Sequence, residues 1–202
     1  MQDQSLRSVV SSFFFQMILF LQGASHAGKT TFAKHLARLT GASVVSLDLL
    51  KMGLIKSGNT DFSGLTPEDD EAIAERLWPI VREMAKTAIE NGQNLIIEGC
   101  YLPPERVRLL LSDEVVAVYL GLSEAYLSKN FDALWKYENV VEHRKLPEDR
   151  PLEAFIAGNA RVRSACAAWG LPYSRREKHT KKCRKTQSPF STERRAWRGG
   201  NE

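Results

Sequence analysis

With 202 residues, the chain is long enough for one α/β domain with a sizeable hydrophobic core. An apolar content of 43% and a charged content of 26% are typical of a globular protein in water. Three cysteines without C-x-x-C spacing argue against a disulfide framework or a zinc site, and they indicate a reducing, cytoplasmic environment. The net charge of +4 is uneven, because residues 174–202 hold ten Lys or Arg and three acids, which leaves a mildly acidic body.

The chain opens with an N-terminal extension, residues 1–16, for which the sequence indicates no role. The apolar run from Phe13 to Leu21 is shorter than the ~20 residues that span a bilayer, so we expect no membrane segment. One acid and one base precede it, so the positive region of a signal peptide is missing. We therefore interpret Met17 to Gln22 as the buried central strand of the domain.

A glycine-rich loop of the form G-x-x-x-x-G-K-T follows this strand, and a helix-compatible stretch follows the loop. Such a loop turns successive backbone N–H groups toward the phosphates of a nucleoside triphosphate. Lys29 adds a cation to the same phosphates, and the Thr30 hydroxyl is placed to bind Mg²⁺. The sequence therefore predicts a site for ATP and Mg²⁺ formed by Gly23, Ala24, Ser25, His26, Ala27, Gly28, Lys29, Thr30 and Thr31.

Behind the loop, hydrophobic periodicity predicts short apolar strands that alternate with helices. The predicted strands after the first are 42–47, 94–98 and 114–120, and the main predicted helices are 29–39, 66–90, 123–136 and 152–169. This alternation predicts a three-layer α/β/α fold with a central parallel sheet. The carboxyl ends of the strands would then bring together the phosphate loop, Asp48, Glu98 and Gly121.

These segments resemble P-loop kinases of the nucleoside-monophosphate-kinase fold, the group that includes adenylate, shikimate and gluconate kinases. The similarity extends to bacterial proteins described as AAA-family ATPases, 2-phosphoglycerate kinase-like or adenylate-kinase-like. It covers roughly residues 17–173 and is carried by segments 20–31, 46–55, 65–70 and 94–101. The resemblance implies transfer of a phosphoryl group from ATP.

The resemblance also implies roles for individual residues. Asp48 holds the position of a carboxylate that contacts the acceptor hydroxyl, although a helix N-cap is the alternative. Lys51 stands where relatives have the arginine of D-x-x-R, which grips the substrate. Glu98 would bind magnesium through water or bind the acceptor, and Tyr101 would form a wall of the acceptor pocket or simply pack there.

A lid at about residues 137–150 is implied as well. Its arginine would neutralise charge on the transferred phosphoryl group and exclude water on closing. Arg144 is our candidate, with Arg150, Arg161 and Arg163 as alternatives.

The carboxyl terminus departs from the family pattern. Residues 174–202 have no apolar period and almost no large aliphatic side chains, so we expect a basic, disordered tail and no fifth strand. The P-loop kinase domain would then end at Tyr173. Nucleic acid is expected as a partner only through this tail.

Three functional hypotheses follow. The first is an ATP- and Mg²⁺-dependent phosphotransferase that acts on a hydroxyl or phosphate of a small metabolite. The second is a nucleotide-binding regulatory ATPase without a small acceptor. The third is a polynucleotide-kinase-like enzyme that uses the basic tail.

Overall fold

The computed structural model describes residues 17–66, 69–138 and 151–176. Five strands form one sheet: β1 (Ile18–Gly23), β2 (Ser43–Ser46), β3 (Leu95–Gly99), β4 (Val115–Leu122) and β5 (Tyr173–Arg176). The helices are α1 (Lys29–Thr40), α2 (Leu47–Lys56), α3 (Asp70–Glu90), α4 (Pro104–Val107), α5 (Glu124–Glu138) and α6 (Leu152–Trp169). Two 3₁₀ turns, Thr60–Phe62 and Arg108–Leu110, complete the described elements.

The sheet has the strand order β2-β3-β1-β4-β5, and every pairing in it is parallel. Strand β1 therefore lies in the middle, which explains why the residues of the apolar run from Met17 to Leu21 are all buried. Its side chains alternate between the two faces of the sheet. Ile18 and Phe20 join the core beneath α3, whereas Leu19 and Leu21 join the core beneath α1. The predicted three-layer α/β/α fold is confirmed.

The prediction that the fifth strand is missing was wrong. Strand β5 pairs with β4 in register from Tyr119–Tyr173 to Leu122–Arg176. An edge strand needs backbone pairing on one side only, so Ser174 and the two arginines can form it without an apolar pattern. Tyr173 supplies the packing, because it lies against the larger core cluster. Strand β5 begins at Tyr173, the last residue of the predicted kinase domain.

The structure excludes the alternative that Asp48 is a helix N-cap, and it corrects one predicted helix start. Helix α2 begins at Leu47 with Ser46 as its N-cap residue, so Asp48 lies in the first turn and is not the cap. Helix α3 begins at Asp70 rather than Thr66. The Asp69 carboxylate accepts hydrogen bonds from the Thr66 backbone N–H at 2.7 Å and its hydroxyl at 2.9 Å. These local bonds stabilise a turn that precedes the helix.

Candidate functional site

The loop between β1 and α1 is closed around the ammonium group of Lys29. This residue begins α1, is 7% exposed, and donates from Nζ to the carbonyl oxygens of Gly23 at 3.2 Å and Ala24 at 3.0 Å. Gly28 adopts φ 86°, a left-handed conformation that glycine reaches without steric cost. The loop thus places a buried cation at the N-terminus of a helix, where anions are stabilised.

The first glycine of the loop is required because the backbone of β4 leaves no room for a side chain. A Cβ on Gly23 would lie 2.0 Å from the Leu120 carbonyl oxygen. We expect Gly23→Ala to destabilise the fold by about 3 kcal/mol, since neither backbone segment can move away freely. Urea unfolding at neutral pH measures this change.

Gly53 provides the matched control, because a Cβ there meets no atom within 4 Å and the residue is helical. Gly53→Ala is expected to stabilise the fold by about 0.5–1 kcal/mol. A Gly23→Ala variant with the urea midpoint of the wild type would contradict this account of the loop.

His26 connects the loop to α6. It is a non-glycine residue with φ 59°, and its Nδ1 lies 3.0 Å from the Ser25 hydroxyl. Its ring meets the Phe155 ring in an edge contact, with centroids 5.4 Å apart. The contact indicates that His26 anchors the loop on the side of β4 and α6.

Thr30 and Glu98 bring two hard oxygen ligands together behind the loop. The Thr30 hydroxyl lies 3.2 and 3.3 Å from the two carboxylate oxygens of Glu98, which is 1% exposed. Mg²⁺ prefers oxygen ligands and binds through one or two protein groups together with phosphates and water. In the part of the chain that the structure describes, no group of three or more His, Cys, Asp or Glu could hold a metal ion alone. The pair therefore fits a magnesium ion that arrives with a nucleotide.

Burial raises the pKa of Glu98, and the Asp48 carboxylate raises it further. The Lys29 ammonium and the hydroxyls of Ser46 and Thr30 oppose this shift without cancelling it. The folded state disfavours the charged form of a carboxylate whose pKa it raises. Such a carboxylate therefore lowers the free energy of unfolding as the pH rises above the pKa of an unperturbed glutamate. The negative charge of Glu98 thus comes at a cost to the stability of the fold.

Glu98→Gln is accordingly expected to raise the urea midpoint of the ligand-free protein at pH 7. The difference in urea midpoint between the variant and the wild type should grow as the pH rises from about 4.3, where unperturbed glutamates ionise. It should become constant once the pH exceeds the raised pKa of Glu98. The same variant should bind Mg²⁺·ATP more weakly, which isothermal titration measures. A pH-independent difference in midpoint would show that ionisation of Glu98 is not involved.

The predicted acceptor residues lie beside this pair. Asp48 and Lys51 are one turn apart on α2, with 3.7 Å between Lys51 Nζ and Asp48 Oδ1. Tyr101 follows β3, is buried, and its hydroxyl oxygen accepts a hydrogen bond from Lys51 Nζ. The structure therefore brings Asp48, Lys51 and Tyr101 together. Glu98 is close enough to Asp48 for the two carboxylates to influence each other.

Two residues of the site were not predicted. Gln22 is the penultimate residue of β1, is buried, and donates from Nε2 to the Cys100 carbonyl at 3.3 Å, which ties the strand before the phosphate loop to the segment after β3. Its position as the polar end of an apolar run was a usable signal. Asp70 begins α3, and its carboxylate lies close enough to the Tyr101 hydroxyl to raise the pKa of that hydroxyl, although the two residues are 31 positions apart in the sequence. No local pattern indicates it.

Of the four candidate lid arginines, the structure describes two, Arg161 and Arg163. Arg144, Arg150 and most of the predicted lid lie outside the described residues. Arg163 lines a cavity of about 700 Å³ at the carboxyl ends of β4 and β5, together with Arg175. Arg161 is exposed on α6. The candidate Arg144 therefore stays a prediction.

None of the helices in the described residues combines the length and the apolar character needed to cross a membrane.

Comparisons with known proteins agree with the loop and the sheet. A family model described as an AAA domain matches residues 18–119, which is half of the chain and includes β1, the phosphate loop, α1 and β3. A search of curated proteins gave no match.

Among solved structures, the chain is similar to shikimate kinase from Bacteroides thetaiotaomicron, with 16% identity, a TM-score of 0.48, and 78% of this chain and 84% of that chain covered. The chain is also similar to shikimate kinase from Acinetobacter baumannii in complex with shikimate, with 17% identity and a TM-score of 0.49; the match covers 86% of this chain and 88% of that chain. A chain of the Pnkp1/Rnl/Hen1 RNA repair complex is similar with 20% identity and a TM-score of 0.48; the match covers 74% of this chain and 46% of that chain.

Proposed function

The chain belongs to the AAA domain family, and on this premise we propose that it transfers the γ-phosphoryl group of ATP to a small metabolite. The observation that carries the proposal is the meeting of two carboxylates with the phosphate loop at one edge of the sheet. Glu98 contacts the loop through Thr30, and Asp48 lies close enough to raise the pKa of Glu98. The second carboxylate could take the proton of an acceptor hydroxyl.

On the donor side, Lys29 and the backbone N–H groups of residues 23–31 bind the β- and γ-phosphates. The ammonium group now bonded to the carbonyls of Gly23 and Ala24 would exchange these partners for phosphate oxygens. Thr30 and Glu98 would hold Mg²⁺. When bound, the ion would neutralise charge that develops on the phosphates during transfer.

On the acceptor side, Asp48 orients the acceptor hydroxyl. The hydroxyl oxygen forms a bond to the γ-phosphorus while the bond from that phosphorus to the bridging oxygen of ADP breaks. ADP leaves with the electron pair of that bond, and the proton of the hydroxyl passes to Asp48 late in the transfer. Tyr101 and Lys51 form the wall behind Asp48. Arg144 is our candidate for the lid arginine.

A screen of small hydroxylated and phosphorylated metabolites for acceptor-dependent ADP formation tests this proposal. Lys29→Ala serves as the blank in each assay, since it removes the phosphate-binding cation. Regulatory ATPase activity would appear as ADP formation without an acceptor. A polynucleotide kinase would form ADP only when oligonucleotides are added as acceptors, and it would lose this activity on removal of residues 177–202.

The free thiols of Cys100 and Cys166 fit a reducing compartment, and we place the enzyme in the cytoplasm on that ground.

A further inference from the structure

Lys51 carries an ammonium group that the fold keeps away from solvent. Its side chain is 9% exposed, whereas the Asp48 side chain on the same helix is 32% exposed. A buried ammonium group is costly unless it is paired and hydrogen-bonded. Here Tyr101 accepts a hydrogen bond from Nζ, and Asp48 Oδ1 lies 3.7 Å away.

The order of these groups from solvent inward matters for function. Asp48 and Lys51 are three residues apart in α2, so their side chains share one helix face. Because Asp48 is the more exposed of the two, it forms the outer layer, and Lys51 lies behind it against Tyr101. An acceptor that enters from solvent would therefore meet the carboxylate before the ammonium group.

Tyr101 fixes the inner end of this arrangement. Burial raises the pKa of its hydroxyl, and the carboxylates of Asp48 and Asp70 raise it further, so the hydroxyl stays neutral. A neutral hydroxyl can accept the hydrogen bond that Lys51 Nζ donates. The segment after β3 thus holds the Lys51 ammonium group in one place.

We propose that Lys51 is a positioning residue, held by Tyr101, that orients the Asp48 carboxylate and does not bind the acceptor itself. This inference rests on the proposed function, because it takes Asp48 as the group that receives the acceptor hydroxyl. It implies that the acceptor is recognised at this point through its hydroxyl, and not through an anionic group bound to Lys51.

A double-mutant cycle on activity tests the proposal. Lys51→Met in the wild-type protein is expected to lower kcat about 10–100-fold, while the KM for the acceptor changes less than about threefold. In an Asp48→Asn background, Lys51→Met should change kcat less than about threefold, because the carboxylate it positions is gone. Tyr101→Phe is the milder second variant and should lower kcat without raising this KM. The assay uses the acceptor from the metabolite screen.

Two matched controls accompany the cycle. Lys56→Met replaces an exposed lysine at the end of the same helix, and Tyr126→Phe replaces a buried tyrosine on α5. Both should leave kcat and KM unchanged. A rise in the acceptor KM in both backgrounds, with additive effects of the two substitutions, would make Lys51 a direct ligand of the acceptor and overturn the proposal.

A second cycle does not depend on activity. Urea midpoints of Asp48→Asn, Lys51→Met and the double variant should be strongly non-additive, since Asp48→Asn removes a negative charge beside a buried ammonium group and this loss matters only while the ammonium group is present. Additive midpoints would overturn the proposal even if no acceptor is found. Conversely, strong coupling in urea with no ATP-dependent transfer to any acceptor would refute the proposed function and leave the Asp48–Lys51 pairing intact.

Discussion

Lys29→Met is expected to lower kcat/KM for phosphoryl transfer by about 10²–10³-fold, the loss seen when one preorganised charge-stabilising group is removed. Lys29 is buried at the start of α1, and its ammonium group already lies inside the phosphate loop. Methionine keeps the length and apolar stem of the side chain and removes only the charge. Coupled-enzyme detection of ADP at several ATP concentrations measures the loss.

The control for this variant is Lys34→Met, an exposed lysine on the same helix. It should leave kcat/KM unchanged, which separates the role of the loop cation from the effect of net charge. Wild-type activity in Lys29→Met would mean that the loop does not bind the transferred phosphates, and it would remove the basis for the proposed donor side.

Asp48→Asn is expected to lower kcat for acceptor phosphorylation by about 10²–10⁴-fold, the range typical of general acid–base groups. Asparagine keeps the shape of the side chain but cannot take the proton of the acceptor hydroxyl. Because Asp48 makes the smallest of the contributions to the raised pKa of Glu98, we expect the affinity for Mg²⁺·ATP to stay within about twofold. Steady-state kinetics and isothermal titration with a non-hydrolysable ATP analogue measure the two effects.

Asp113→Asn is the matched control for this variant. Asp113 is exposed and precedes β4, at the amino-terminal edge of the sheet opposite the site. It should behave as wild type in both measurements. If ADP forms without an acceptor and Asp48→Asn leaves its rate unchanged, the regulatory ATPase is the better interpretation.

The phosphate loop and the sheet around it could be predicted because their signals are local. Gly23, Gly28 and Lys29 stand at fixed spacing, and the fully buried strand β1 appears in the sequence as an apolar run. Parallel strands buried on both faces give such runs, so β3 and β4 were found close to their observed positions. The match to the AAA domain family covers this same region.

What could not be predicted depends on contacts between distant residues. Strand β5 is polar and owes its formation to backbone pairing with β4, which no pattern within residues 173–176 indicates. The hydrogen bond between Lys51 and Tyr101 joins positions 50 residues apart. The sequence placed both residues at the acceptor side, but the relative burial that puts Lys51 behind Asp48 emerges only from the folded chain.

The central claim is that the γ-phosphoryl group of ATP passes to a small acceptor at this site. Incubation of the full chain with Mg²⁺, ATP radiolabelled at the γ-phosphate, and the acceptor from the metabolite screen tests it most directly. We predict that label enters the acceptor in a one-to-one ratio with ADP, and that the rates of formation of both products fall at least about 100-fold in Lys29→Met and in Asp48→Asn. Label recovered only as inorganic phosphate, at a rate independent of the acceptor and of Asp48, would contradict the claim.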